Sequence, residues 1–325
     1  MRGAASAAAD WRPTAIRRAL ELRARLLTKV RAFFAERAVL EVDTPILSQG
    51  ATTDPQIESL RTEVRGAGTR WLHTSPELAM KRLLAAGTGD VYQLCKVFRD
   101  GERGRHHNVE FTMLEWYRVG VDHHALMEEV AALLRATLGA GRVDPVERVT
   151  FRAALERYAD IDPFAAGVDE CARCLKRAGV AAPPVCGRDG LLDLIAGEIV
   201  GPRLGRAGAS FVYDYPAARA ALARVRADDQ AVAERFEVYL DGIELANGFH
   251  ELTDADEQRR RFEQDLRARA DGAGASVAVD ARFLAALEAG MPECAGVALG
   301  FDRLVMLAAG AARIDDVIAF PMERA

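Results

Sequence analysis

Apolar positions near the start of the chain recur at the spacing of a helix. Between residues 14 and 37 they line one helical face, which predicts a long amphipathic helix. The members of this face are Ile16, Leu20, Leu26, Leu27, Val30, Phe33 and Phe34. Thr14, which follows Pro13, is predicted to cap the helix. Residues 39–42 then predict a short strand that ends before Pro45.

Two pairs of strand-like segments predict antiparallel hairpins. Residues 91–98 and 110–117 flank a long polar loop. Residues 233–240 and 243–252 flank Asp241-Gly242, a dipeptide that favours a tight hairpin turn. Near the end, residues 296–307 predict a strand of small residues that leads directly into a helix.

The other segments complete a mixed pattern without internal repeats. Helices are predicted at 74–86, 122–138, 254–270 and 280–289, and strands at 57–64, 71–73 and 211–216. Ser75 is the expected cap of the helix at 74–86, with Pro76 as its first residue. Residues 139–208 are predicted as helices joined by Pro/Gly loops. Antiparallel strands with helices at their margins indicate an α+β fold. We expect one domain, 14–325, after a disordered tail at 1–13.

Composition narrows the class of protein. The 325 residues are 50% hydrophobic and 28% charged, as in ordinary globular proteins. A formal net charge of −5 makes non-specific nucleic-acid binding a poor prediction. No apolar run approaches the roughly 20 residues needed to span a bilayer, so no membrane partner is expected. No Gly-x-x-x-x-Gly-Lys loop is present, which excludes a P-loop enzyme.

A metal-binding or catalytic role is not favoured for the cysteines or for two adjacent histidines. The odd count of five scattered cysteines, with no signal peptide before them, fits a reducing cytoplasm. Cys171 and Cys174, with Cys186 nearby, have the spacing of a zinc knuckle. Because no fourth ligand is apparent, the favoured alternative places these cysteines on a helix surface. His123 and His124 are predicted to be solvated.

The loop after residue 98 is basic. It carries Arg99, Arg103 and Arg105, and it contains the pair His106-His107. A guanidinium group matches phosphate oxygens two at a time, so this loop suits a polyanionic ligand.

Two glutamates on the second hairpin are candidate metal ligands. Glu244 and Glu251 lie seven residues apart, and an odd separation places side chains on opposite faces of a regular strand. A bulge at Gly248 would restore a common direction. Carboxylates without a His or Cys partner suit Mg²⁺. The alternative is a solvated strand face, which the apolar neighbours disfavour.

Three segments resemble one enzyme family. Residues 107–117, His-Asn-Val-Glu-Phe-Thr-Met-Leu-Glu-Trp-Tyr, resemble motif 2 of class II aminoacyl-tRNA synthetases, and in particular the lysyl branch. Residues 33–45 resemble motif 1, which builds the family's dimer interface, and residues 296–307 resemble motif 3. The resemblance covers roughly residues 14–325 and implies a class II catalytic core, with 139–208 as its variable insertion. We expect no anticodon-binding domain, because the chain has no room for the N-terminal barrel of lysyl-tRNA synthetases.

The resemblance also implies a reaction. The family joins an amino-acid carboxylate to the α-phosphate of ATP and expels pyrophosphate. By resemblance, Arg99 holds the α-phosphate, Arg303 holds the γ-phosphate and Phe111 stacks on adenine. Arg303 opens the last helix, whose amides favour phosphate. The other implied ATP contacts are Asp100, Gly101, Asn108, Glu244, Leu245 and Gly300, with Glu244 and Glu251 as ligands of Mg²⁺.

A further set of residues matches the lysine pocket of the lysyl branch. The implied set is Ser75, Pro76, Glu77, Glu115, Tyr117, Asn247, Phe249, Glu251 and Ala298. Several carboxylates around one pocket demand a cationic ligand, so a diamino acid is expected. Glu77 also lies in the first turn of a predicted helix, where the helix dipole favours an anion. This is an alternative explanation for a glutamate at this position.

Two positions depart from the lysyl branch. Motif 2 usually has glutamate where this chain has Gly101, so either Glu102 replaces it near adenine or the backbone suffices. Ala298 stands where lysyl-tRNA synthetases have glycine, and its methyl group would crowd an α-amino group. This fits a preference for (R)-β-lysine over lysine, whereas neutral drift is the alternative.

The lysyl-branch motifs without the N-terminal barrel resemble the members of this family that modify elongation factor P. This resemblance implies a cytoplasmic, homodimeric ligase that uses ATP and Mg²⁺ to activate (R)-β-lysine and transfers it to a lysine side chain of elongation factor P. The alternatives are a truncated lysyl-tRNA synthetase that charges tRNA, and a non-catalytic paralogue that regulates a partner. The missing barrel argues against the first, and the intact phosphate-binding arginines argue against the second.

Overall fold

The computed structural model describes residues 11–183, 186–271 and 276–325. The chain forms two compact units. The first comprises Met1–Trp116, Asp254–Met291 and Ala298–Ala325, and the second comprises Tyr117–Thr253 and Pro292–Val297. The prediction of one domain over 14–325 stays a prediction. Residues 1–10 of the predicted tail lie outside the described residues.

Helices and strands alternate irregularly along the chain. The helices of the described residues are α1 (Arg17–Ala35), α2 (Glu77–Ala85), α3 (His123–Leu138), α4 (Ala140–Val143), α5 (Phe151–Ala159), α6 (Val168–Arg177), α7 (Arg188–Leu194), α8 (Ala255–Asp271), α9 (Ala281–Gly290) and α10 (Phe301–Ala309). The strands are β1 (Leu40–Glu41), β2 (Leu47–Ser48), β3 (Arg61–Val64), β4 (Gly68–Leu72), β5 (Val91–Phe98), β6 (Glu110–Val119), β7 (Glu147–Thr150), β8 (Ser210–Pro216), β9 (Val232–Leu240), β10 (Ile243–His250) and β11 (Cys294–Gly300). The predicted α+β class is confirmed.

The first unit packs helix α1 against a sheet. Its strands follow the order β1-β5-β6-β11, in which β1 runs parallel to β5. The apolar face predicted for α1 is confirmed at Leu26, Val30, Phe33 and Phe34, which are at most 4% exposed. Ile16, predicted on the same face, lies before the helix and is 69% exposed. Phe34 stacks on Tyr92 of β5, with ring centroids 4.4 Å apart. A smaller antiparallel sheet has the order β2-β4-β3.

The second unit is built on long antiparallel strands. Its strands follow the order β6-β11-β10-β9-β8-β7, since β6 and β11 each contribute residues to both units. The predicted hairpin of β9 and β10 is confirmed. Both of its turn residues, Asp241 and Gly242, have positive φ, at 54° and 76°. This is the backbone that Asp-Gly favours, because glycine adopts it without strain.

Three predictions about helix ends and strands are wrong. Thr14 does not cap α1, which begins at Arg17 after Ile16, and the Thr14 hydroxyl instead donates to the Ile318 carbonyl at 2.8 Å. In the segment 139–208, the structure adds strand β7, which pairs in parallel with β8. Helix α2 begins at Glu77 and not at Pro76, although the Ser75 hydroxyl accepts its first N–H at 3.0 Å.

Two predictions about solvent exposure are also wrong, one for the cysteines and one for His123. Cys171 and Cys174 are not on a helix surface: they are 0% and 3% exposed. With Leu175 they form the i, i+3, i+4 face by which α6 enters the apolar core of the second unit. His123, predicted to be solvated, is 3% exposed, whereas His124 is exposed. Within the described ranges, no helix is both long and apolar enough to cross a membrane.

Candidate active site

The predicted site residues fall in both compact units. In the first unit lie Ser75, Pro76, Glu77, Arg99, Asp100, Gly101, Asn108, Phe111, Glu115, Ala298, Gly300 and Arg303. In the second unit lie Tyr117, Glu244, Leu245, Asn247, Phe249 and Glu251.

Arg99 is held beside the ring of Phe111. Its guanidinium carbon lies 5.3 Å from the ring centroid, within the range of a cation–π contact. Its Nε donates to the Thr74 carbonyl at 3.3 Å, and its Nη1 donates to Glu102 Oε1 at 3.4 Å. These long contacts orient the guanidinium without a short ion pair, which suits a group that must bind an incoming anion.

The backbone conformation explains why glycine occupies position 101. Its φ is +76°, and an added Cβ would meet no atom within 4 Å, so the backbone and not crowding favours glycine. Asp100 Oδ1 accepts the Gly101 N–H at 2.8 Å, which closes the turn. The carboxylate of Glu102 is directed at Arg99. An adenine contact of Glu102 stays a prediction.

Arg303 links the last helix to the arginine-rich loop. Helix α10 begins after Gly300, and Arg303 lies in its first turn. Arg303 Nε donates to the His106 carbonyl at 3.3 Å, and Nη2 donates to His107 Nε2 at 2.6 Å. Burial first, and then the charge of Arg303, lower the pKa of His107. The ring is therefore neutral near pH 7 and can accept this hydrogen bond.

The residue before Arg303 anchors the same helical turn. Asp302 is 1% exposed, and its Oδ2 accepts the Thr112 N–H at 2.6 Å. Its Oδ1 accepts a hydrogen bond from Arg23, which also donates to the Thr112 hydroxyl at 2.6 Å. A buried carboxylate paired in this way fixes the start of α10 against β6, and so fixes the backbone that carries Arg303.

The side-chain amide of Asn108 forms hydrogen bonds with backbone groups. Its Nδ2 donates to the Glu110 carbonyl at 2.6 Å, and its Oδ1 accepts the Met322 N–H at 3.0 Å. The side chain ties the end of the loop to the C-terminal segment. A nucleotide contact of Asn108 stays a prediction.

Hydrogen bonds orient three residues of the implied amino-acid pocket in the first unit. The Ser75 hydroxyl donates to Glu115 Oε2 at 2.6 Å. Glu77 accepts a hydrogen bond from Lys81 Nζ at 2.6 Å. Lys81 lies one turn later on α2, and its side chain is 1% exposed. Pro76 immediately precedes α2, and Ala298 is half-buried on β11. The sequence analysis did not single out Lys81.

The irregularity in β10 lies at Leu245 and not at Gly248. Between β9 and β10 the register shifts between Glu244 and Ala246, so Glu244 and Leu245 together oppose one residue of β9. The opposed pairs on one face are Arg235 with Phe249, Glu237 with Asn247, and Tyr239 with Glu244. Glu244 therefore shares its face with Asn247 and Phe249, and alternation carries this face on to Glu251. The common direction expected of the two glutamates is obtained by a different bulge.

Close packing, and not a bulge, explains why glycine occupies position 248. A Cβ there would lie 2.4 Å from Phe236 Cζ and 3.0 Å from the Gly296 carbonyl oxygen. The position admits only hydrogen because the Phe236 ring lies directly against the backbone of β10.

Tyr117 and Glu251 converge on the backbone of Gly296. An added Cβ at Gly296 would lie 2.2 Å from Tyr117 Cε1 and 2.4 Å from Glu251 Oε1. Tyr117 and Glu251 are 2% and 1% exposed. The sequence analysis placed Gly296 in motif 3 without a role, and its role here is to leave room for two side chains of the predicted pocket.

A buried ion pair supports Asn247 from β9. Arg235 Nε donates to Asn247 Oδ1 at 3.1 Å, and its Nη2 donates to Glu237 Oε1 at 2.6 Å. Burial opposes the charge of Arg235, but the carboxylates of Glu237 and Glu244 outweigh it and raise the pKa of Arg235. Burial likewise opposes the charge of Glu237, but Arg235 and the phenol hydroxyls of Tyr239 and Tyr215 lower the pKa of Glu237. Both groups are therefore charged.

Arg235 and Glu237 were not predicted as supporting residues, although one signal was available. They alternate with Tyr239 as Arg-x-Glu-x-Tyr on a strand whose only other charged residue is Glu234. Such alternation places three polar groups on one buried face, which requires them to satisfy one another.

Comparisons with known proteins show the family to which the chain belongs. A family model described as tRNA synthetases class II (D, K and N) matches residues 4–324. The elongation factor P–(R)-β-lysine ligase of Vibrio vulnificus is 49% identical over 320 residues, which cover 96% of this chain and 98% of that protein. The proteins of the same name from Vibrio cholerae and Salmonella arizonae are 49% and 48% identical, covering 97% and 98% of this chain and 99% and 100% of their own. The chain therefore belongs to the class II tRNA synthetases (D, K and N).

Proposed function

We propose that this chain is a ligase that activates (R)-β-lysine with ATP and transfers it to a lysine side chain of elongation factor P. The observation that carries the proposal is the similarity, at 48–49% identity over nearly the full length of both chains, to proteins named for this reaction. The contacts of Arg99 and Arg303 support the ATP-dependent part of the proposal.

The first step joins two anions. A carboxylate oxygen of the amino acid attacks the α-phosphorus of ATP, the bond to the bridging oxygen breaks, and pyrophosphate leaves. Such a step depends on positioned cations that neutralise charge as it develops. Arg99 is assigned to the α-phosphate and Arg303 to the γ-phosphate. Their orientation by Thr74, His107 and backbone carbonyls favours this role, because the groups are placed before the ligand arrives.

Phe111 is assigned to the adenine. Its ring already lies beside the guanidinium of Arg99, which is the group assigned to the α-phosphate. A stacked purine would extend this arrangement, since planar π-systems and guanidinium groups pack on one another.

Glu244 and Glu251 fit Mg²⁺ by their chemistry. They lie on one face of β10, and magnesium prefers carboxylate and phosphate oxygens. When bound, Mg²⁺ would neutralise charge on the ATP phosphates. What the protein itself contributes is the bulge at Leu245, which gives the two carboxylates a common direction.

The charge of the pocket residues favours a diamino acid. Glu115 and Glu251 are 2% and 1% exposed, and buried carboxylates favour a cationic partner. The methyl group of Ala298 is assigned the selection of (R)-β-lysine, because it occupies space that an α-amino group needs in the lysyl branch. Transfer then follows: the ε-amine of the acceptor lysine attacks the activated carbonyl carbon, AMP leaves and a proton is released as the amide forms.

Homodimerisation through motif 1 is part of the proposal. Light scattering of the purified chain tests it, and a monomer at micromolar concentration would contradict it.

The decisive experiment measures the intact mass of elongation factor P. The acceptor is incubated with the chain, ATP and Mg²⁺, and with either (R)-β-lysine or lysine. We expect a mass gain of one lysyl group that forms faster with the β isomer and is absent with Arg303→Ala. Charged tRNA without modified acceptor would support the synthetase alternative. A partner effect that survives Arg303→Ala would support the regulatory one.

The selectivity is tested by Ala298→Gly. Removing the methyl group should raise the rate with lysine relative to (R)-β-lysine. Unchanged selectivity would assign the preference to other residues while leaving the ligase activity in place.

A further inference from the structure

Three buried residues of the second unit point their ligand atoms toward one another. His123 begins α3, Glu234 lies on β9 and His250 ends β10. One ligand atom from each lies within 4.8 Å of the other two. The three residues are 3%, 8% and 8% exposed. None of them belongs to the predicted ATP or amino-acid site.

His123 stands out because its ring is unsatisfied. Among the described residues, neither ring nitrogen of His123 has a hydrogen-bond partner. Buried polar side chains nearly always have one, since an unmade hydrogen bond costs about 1–3 kcal/mol. A neutral imidazole nitrogen without a hydrogen-bond partner is a potential ligand for a metal ion.

The other two residues already attract a cation. Glu234 Oε2 lies 2.7 Å from His250 Nδ1 and accepts a hydrogen bond from Arg224 Nε at 2.9 Å. Arg224 Nη1 donates to Glu293 Oε2 at 3.1 Å. Arg224 and Glu293 have side chains that are 38% and 60% exposed, so both can move toward solvent. The guanidinium thus lies where the carboxylates favour positive charge.

We propose that His123, Glu234 and His250 form a structural binding site for a divalent transition metal ion of the zinc type. Two imidazoles and one carboxylate are a frequent protein donor set for zinc. Tetrahedral ligands about 2.0–2.1 Å from zinc stand roughly 3.3 Å apart. The His250–Glu234 pair is already within this spacing, and the ring of His123 must turn toward it. Arg224 turns outward, and Glu293 or water supplies the fourth ligand.

The site has a consequence for β10. His250 lies between Phe249 and Glu251, and its side chain points to the face opposite theirs. A metal ion that joins His250 to Glu234 and to the first residue of α3 would hold the end of β10 from behind. The ion would therefore fix the strand that carries the predicted pocket residues without touching a substrate.

Cobalt titration of the full chain tests the site. The protein is first treated with chelator, and Co²⁺ is then added without ATP while visible absorption is recorded. We expect one equivalent of Co²⁺ with the intense bands of a four-coordinate ion, which distinguish it from an oxygen-ligated six-coordinate site. His123→Ala should weaken binding at least about tenfold, as loss of a ligand does. His124→Ala is the matched control, because His124 is adjacent but exposed, and it should bind as the unaltered chain does.

A second variant keeps the test valid if His123→Ala folds poorly. Arg224→Ala retains all three ligands and removes the competing positive charge, so it should bind Co²⁺ at least about threefold more tightly. Zn²⁺ should also raise the melting temperature of the unaltered chain and of His124→Ala. Absence of four-coordinate Co²⁺, equal binding in His123→Ala and His124→Ala, or unchanged affinity in Arg224→Ala would each overturn the proposal.

Discussion

Arg99 and Arg303 in the first unit are held differently from Arg235 in the second unit. In the first unit, Arg303 donates to a neutral histidine ring and a carbonyl, and Arg99 makes two hydrogen bonds longer than 3.2 Å. In the second unit, Arg235 is bound to the Glu237 carboxylate at 2.6 Å, and the side chains are 14% and 11% exposed.

This difference distinguishes arginines that are suited to bind an anion from an arginine that is suited to hold a strand in place. A guanidinium held by long or neutral contacts keeps more of its electrostatic attraction for an anion than one in a short pair with a buried carboxylate. We therefore propose phosphate recognition for Arg99 and Arg303, and strand positioning for Arg235. Substitutions should divide accordingly between activity and stability.

Arg303→Ala should give the largest loss of activity. Removing a cation that stabilises developing phosphate charge lowers adenylate formation by about 10³-fold, close to 4 kcal/mol of transition-state stabilisation. Pyrophosphate exchange with (R)-β-lysine measures this step. The melting temperature should change little, since Asp302 anchors the start of α10 independently.

Arg303→Lys sharpens the same test. It keeps the charge but loses the two-pronged donor, so it should recover only part of the activity. Full activity in Arg303→Ala would remove Arg303 from the phosphate-binding role.

Arg235→Met should act on stability. It leaves the Glu237 carboxylate buried without its partner, which costs about 3 kcal/mol of the free energy of unfolding. Urea denaturation followed by circular dichroism measures the loss. The double variant Arg235→Met/Glu237→Leu removes both charges and should recover most of the stability. If the double variant loses the sum of both single effects, the pair is not the source of the loss.

The sequence predicted the features that depend on local pattern. The amphipathic face of α1 and the Asp-Gly hairpin follow from side-chain period and turn chemistry, and both are confirmed. Cys171 and Cys174 were misplaced because small apolar-like thiols at i and i+3 fit either a buried or an exposed face, and only packing decides.

The supporting contacts of the site could not be predicted. The bulge at Leu245 depends on how β9 and β10 pair, and no residue type marks it. Asp302 and Thr112 are 190 positions apart in the chain, so their hydrogen bond exists only once the fold has formed. Family resemblance assigned roles to Arg99 and Arg303 but was silent about the groups that orient them.

Gly296→Ala should have an intermediate effect. The new methyl group would lie within 2.4 Å of the Tyr117 and Glu251 side chains, and such overpacking costs about 2 kcal/mol. Gly300→Ala is the steric control for stability, because its added Cβ would meet only Arg303 side-chain atoms at 3.6 Å or more. Thermal unfolding should distinguish the two variants. Equal melting temperatures would mean that Tyr117 and Glu251 can move aside freely.

The smallest effect should be a pH dependence of ATP binding. Burial and Arg303 lower the pKa of His107 below its ordinary 6.5, so the neutral ring accepts from Arg303 at neutral pH. As pH falls through the lowered value, the ring gains a proton, loses its acceptor nitrogen and repels the guanidinium. The KM for ATP should therefore rise a few-fold on the acid side, as loss of one hydrogen bond implies, and stay constant above about pH 7.

His107→Asn tests the origin of this pH dependence. Asparagine keeps an acceptor oxygen but does not gain a proton on the acid side, so the acid rise in KM should disappear. His106→Asn is the matched control, because Arg303 donates to the backbone carbonyl of His106, which the substitution retains. Its profile should keep the acid rise. An acid rise that persists in His107→Asn would place the titrating group elsewhere and leave Arg303 oriented by geometry alone.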